Sequence, residues 1–87
     1  MKTLVEVQEV EGEGLEGLLG TRITLMCGCY FYKGKLVGVN DACVKLTDAA
    51  VVYETGSFDT PTWKDAQPLP NDWYVQVASI ESFGVLK

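Results

Sequence analysis

The sequence contains no histidine. That absence removes the commonest general base, the commonest metal ligand and every His-dependent catalytic triad. Cysteine is scarce as well: Cys27, Cys29 and Cys43 are an odd number with no Cys-x-x-Cys pair, so the expectation is reduced, partly buried thiols and not a disulfide framework. Cys27 and Cys29, two positions apart, share one strand face and supply two thiolates at most, which do not make a zinc site. Positive charge is in short supply, with 7 Lys+Arg against 12 Asp+Glu for a net charge of -5, and this disfavours a general grip on phosphate backbones. No apolar run approaches the roughly 20 residues that span a bilayer. Glu6 and Glu9 interrupt the opening segment, so neither a signal peptide nor a transit peptide fits, and the expected location is the cytoplasm, with no membrane partner. The glycines between Gly12 and Gly20 lack the Lys and the spacing of a phosphate loop. Ser-Lys and paired-carboxylate chemistries have no motif here. The reading is therefore a protein that is not an enzyme and carries neither metal nor cofactor.

What is present is a packed globule. The 87 residues are 47% hydrophobic and 22% charged, the balance of one folded domain covering residues 1–87. A domain this small buries only roughly 60 to 65% of its unfolded surface and gains from partner subunits. The acidity is not spread evenly: residues 1–16 hold Lys2 against Glu6, Glu9, Glu11, Glu13 and Glu16, net -4, whereas six basic and seven acidic residues follow, net -1. Residues 1–13 thus read as an acidic arm on a nearly neutral body.

Period-two patterns dominate after residue 20. Thr21 to Cys27 sets Ile23, Leu25 and Cys27 against Thr24 and Met26, as a half-buried strand requires. Tyr30 to Val39 is aromatic and β-branched with Gly34 and Gly38 inside it, which predicts a long, bent strand with bulges at the glycines. Asn40 and Asp41 are turn residues. Cys43 to Leu46 alternates again, and Ala49 to Tyr53 extends it through or beyond a kink at Thr47-Asp48. Residues 54–72 carry all three prolines and read as a long connection. Trp73 to Ile80 reads as a strand apolar on both faces, and Phe83 to Leu86 as a short last strand after a minimal turn at Glu81-Ser82. Before residue 20, residues 3–10 read as a strand or extended arm and residues 14–19 as a helical turn. Closely spaced turns and short strands of this kind suit a small, partly open all-β barrel.

Two stretches carry a resemblance. Leu19 to Leu25, followed by Tyr32 to Leu46 with its Gly34-Lys35-Leu36 and its Asn40-Asp41 turn, resembles the first motif of Sm-like (LSm) proteins, and the second motif falls on Val77 to Val85. The spacing from Val39 and Asn40 to Leu46 is nearer the bacterial RNA-chaperone branch, and the small size suggests a divergent phage-type member. The resemblance implies a short helix on a strongly bent five-stranded, SH3-like barrel. It also implies a homo-oligomeric ring in which the fourth strand of one subunit pairs with the fifth of the next. The expected interface residues are Trp73, Val75, Val77, Ile80, Phe83 and Val85.

Sm-like rings hold single-stranded RNA at the inner rim, through the turn after the bent strand and the turn between the last two strands. Carried over by position, this implies RNA contacts from Asn40, Asp41, Ser82 and Phe83. Each has a plainer role: Asn40 and Asp41 as turn formers, Phe83 as a core or interface residue. Ala42 stands where a stacking group belongs, and the basic-Gly pair of the second motif reads Glu81-Ser82, replacing a cation by an anion. Tyr32, Lys33 and Lys35 on the bent strand form a further patch that a ring would repeat, against the reading of an ordinary solvated face. Two functions follow from the resemblance: an RNA-binding chaperone or scaffold, or a ring that has lost the RNA site and meets a protein partner through the 54–72 loop and Trp63.

Overall fold

The alternation after Gly20 is realised as six antiparallel strands in one sheet. The computed structural model describes residues 13–86, so the expected strand at residues 3–10 and nearly all of the acidic arm lie outside the described residues. A helical turn, α1 (Gly14–Gly17), precedes β1 (Arg22–Cys27), β2 (Phe31–Val39), β3 (Cys43–Glu54), β4 (Asp65–Pro68), β5 (Trp73–Gln76) and β6 (Ile80–Gly84), with a 3-10 turn at Val77–Ser79 between the last two. The sheet order is β4-β3-β2-β1-β6, and β5 also pairs with β3. The inward residues of β1, β2, β3 and β5 meet in one core of Ile23, Leu25, Leu36, Val44, Leu46, Ala49 and Val75, with Leu15 and Leu18 of the helical turn packed on its margin. Each Ile, Leu or Val side chain among them contributes about 1.5 to 3 kcal/mol when fully buried.

The two interior glycines of β2 sit at breaks in pairing. The β2–β3 register shifts between Lys33 and Lys35 and again between Leu36 and Gly38. At Gly34 a Cβ would lie 3.1 Å from the Ala49 Cα and 3.1 Å from the Thr47 carbonyl oxygen, so only glycine lets β3 come this close. Opposite it, Asp48 takes a positive φ of 51°. This is the kink the sequence places at Thr47-Asp48. It divides β3 into a first half, Cys43 to Leu46, paired with β5, and a second half, Ala50 to Glu54, paired with β4.

Two expectations are corrected. Residues 54–72 are not one loop, because β4 lies inside them and Trp63, 9% exposed, is buried. The excursion folds back on itself: the Lys64 amide donates to the Thr55 carbonyl, and the Lys64 ammonium stands 3.0 Å from the Glu54 carboxylate. The second correction concerns the C-terminal strands. The strand expected from Trp73 to Ile80 ends at Gln76, and the last strand runs from Ile80 to Gly84 rather than from Phe83 to Leu86. Glu81 and Ser82 are strand residues, and the turn is Val77–Ser79. No Gly or Pro marks it. The 3-10 turn is anchored by packing, since Val77, its first residue, and Ile80, which follows it, both lie against the core.

Candidate functional site

The turn after the bent strand is built by Asn40. Its side-chain carbonyl accepts from the Ala42 amide at 2.7 Å and the Cys43 amide at 2.8 Å, while its own amide donates to the Cys43 carbonyl at 3.0 Å. Asn suits this position because its short side chain caps its own turn. The Ala42 carbonyl in turn accepts from the Val77 amide at 2.9 Å, so residues 40–42 and the 77–79 turn are held together at one end of the sheet. Asp41 is exposed at the tip.

Ser82 and Phe83 do not join that pair of turns. They lie within β6, opposite Met26 and Leu25 of β1. Tyr32 is half-buried against the core, and burial, then the Cys27 thiol, pushes its phenol above the ordinary value. Lys33 and Lys35 share the other face of β2, with Lys33 beside Pro61, Thr62, Trp63 and Ala66. The sequence-expected RNA residues therefore fall into three places: the 40–42 turn, β6, and the two faces of β2.

The other described cations are all engaged. Arg22 pairs with Asp48 at 2.9 Å and Lys45 with Asp72 at 3.5 Å, and Lys64 takes Glu54. Lys45 also sits 5.7 Å above the Tyr74 ring, its cross-strand neighbour on β5. Tyr74, then Asp72, holds the Lys45 ammonium above its usual value. Lys33 and Lys35 make no ion pair among the described residues.

Of the expected interface residues, Val75 is a core residue at 6% exposure, and Val77 and Ile80 pack against the core. Their apolar character serves the subunit itself. Trp73, Phe83 and Val85 remain exposed.

A feature that the motif reading passes over is a cleft of 530 Å³ between the β1–β2 turn and β5, lined by Tyr30, Tyr32, Trp73, Cys27, Val75 and Glu81 among others. The Cys27 thiol, one of its lining groups, is raised above the ordinary value by burial and then by Glu81. The signal in the sequence was the density of aromatics in residues 30–32 and 73–74, split between segments 41 positions apart. Among the described residues, no three Cys, Asp or Glu side chains gather as metal ligands, and no helix is long and apolar enough to cross a membrane. No protein-family model matches the chain, and neither does any curated protein sequence.

Proposed function

We propose that this chain is an Sm-like protein, a bent and partly open SH3-like barrel that assembles as a homo-oligomeric ring and binds single-stranded RNA as a chaperone or scaffold, without catalysis or a cofactor. The observation that carries this reading is the join between two turns, where the Val77 amide donates to the Ala42 carbonyl. Those are the two turns from which Sm-like proteins make their RNA rim. Assembly has its own physical support. β5 pairs with β3 alone and β6 with β1 alone, which leaves one main-chain edge of each strand without a partner among the described residues. Unpaired edges template further pairing. Joining β6 of one copy to β5 of the next is a head-to-tail contact that closes when its rotation divides a full turn.

A second reading, a ring that serves protein contacts in place of RNA, is favoured by two observations. The Asn40 side-chain carbonyl is committed to its own turn, and Glu81 sets an anion where the resemblance implies a cation. Labelled poly-U and poly-A titrated across a salt series separate the two. RNA binding predicts saturable association at low salt that weakens as salt rises. Asn40→Asp keeps the turn acceptor and removes the amide donor, so it should lower RNA affinity by about tenfold. Unchanged affinity in this variant would remove Asn40 from the rim, and no binding by the parent at low salt would end the RNA reading.

A further inference from the structure

The cleft between the β1–β2 turn and β5 has a composition that selects its occupant. Tyr30 and Trp73 stand at its mouth, 45% and 39% exposed, and Tyr32 lies deeper against the core. Tyr30 packs edge-on against Tyr53, with ring centroids 5.3 Å apart. Tyr53 is free to do this because the β3–β4 register shifts between Val52 and Glu54, leaving it as the extra residue of a bulge. Glu81 is placed in the same manner. Met26 pairs with Ser82 but Cys27 with Ile80, so Glu81 is the unpaired residue of a bulge in β6, and its carboxylate reaches to within 3.6 Å of where a Gly28 Cβ would stand. Bulges re-aim side chains, and here two of them serve one cleft. Glu81 makes no ion pair among the described residues, and no Lys or Arg lines the cleft.

Aromatic faces and an uncompensated carboxylate both attract cations. A guanidinium satisfies both at once, because it is planar, stacks on rings and presents a fork that meets a carboxylate through two parallel hydrogen bonds, which a lysine ammonium does not. The cleft volume of 530 Å³ lies within the range of ordinary ligand sites. Local charge points the same way, since Glu81 lines the cleft with no cation beside it, and an unbalanced carboxylate attracts a basic partner. We propose that this cleft is a docking site for an arginine side chain carried by a basic segment of a partner protein. It rests neither on RNA binding nor on ring assembly: strand pairing uses the main-chain groups of β5, and the cleft uses side chains.

The test is a titration of the intact protein with the peptide Gly-Arg-Gly-Arg-Gly, followed by the Trp73 indole NMR resonance and by calorimetry. The expected result is a saturable shift of that resonance, with affinity about tenfold weaker for the lysine counterpart and for the Glu81→Gln variant. Tyr30→Ala, which alters an exposed ring, should weaken binding by about fivefold and leave the unfolding transition nearly in place. An unmoved Trp73 resonance overturns the proposal, as does equal affinity of the parent and Glu81→Gln. So does a single-stranded RNA oligonucleotide that moves the same resonance where the arginine peptide does not, which would assign the cleft to a stacked base.

Discussion

Gly34 shows how much one missing side chain decides. A Cβ at this position meets backbone on one side and the buried Leu46 side chain, 3.2 Å away, on the other, and neither yields as the end of a flexible side chain would. Gly34→Ala should therefore cost about 1 to 3 kcal/mol, the usual penalty of overpacking a closed core, read as a lower urea midpoint with an unchanged slope. Asn40 is the reverse case, a residue whose identity reports less than it suggests. The turn spacing that makes it resemble an RNA contact is also satisfied by an Asx turn, and its carbonyl makes that turn. Sequence alone left both roles standing because both ask for the same short amide at the same place.

At the level of elements, a single bend line crosses three strands. It passes through Gly34 on β2 and Asp48 on β3, then through residues 69–72, where β4 gives way to β5. The registers show that β4 and β5 are two parts of one interrupted strand along β3, since Ala50 pairs with Pro68 and Leu46 with Trp73. Across the gap the Leu69 amide donates to the Ala49 carbonyl at 2.8 Å, and the Thr47 hydroxyl donates to the Asp72 carboxylate at 2.9 Å. Asp48 carries the strain of the bend, and its ion pair to Arg22 joins side chains that are 84% and 48% exposed, so the pair adds little. Asp48→Ala should lose about 1 to 2 kcal/mol because alanine is disfavoured at positive φ. Asp48→Gly should stay within about 0.5 kcal/mol of the parent, since relief of strain offsets the lost pair and the freer unfolded chain. Equal losses in the two variants, measured by chemical denaturation, would mean that the side chain matters there and the backbone does not.

For the whole molecule the question is what completes it. A chain of 87 residues whose β5 and β6 each have one edge that no described strand pairs, and with Phe83 and Val85 left exposed, carries its own motive for association. Under the ring proposal, light scattering at micromolar concentration gives a closed multiple of the 9.5 kDa subunit. Phe83→Glu should reduce it to that subunit mass without unfolding it, because Phe83 is 37% exposed and a buried charge at an edge contact is strongly disfavoured. A parent that scatters as a 9.5 kDa particle would remove the ring.

The strand-rich class, the bent second strand, the kink near Asp48 and the turn at Asn40 were legible in the sequence, because each follows from local chemistry: period-two patterning, glycine, and short polar side chains. The sequence also located the aromatics without grouping them. Long-range packing was needed to place β4 within the proline-rich segment, to make Val77–Ser79 a turn with no glycine or proline to announce it, and to put Val75 in the core. Register decided as much as packing. One extra residue in β6 turns Glu81 toward the cleft, and a shift of that kind depends on which residues β1 sets opposite. That pairing spans more than 50 positions of chain and leaves no local mark in the sequence.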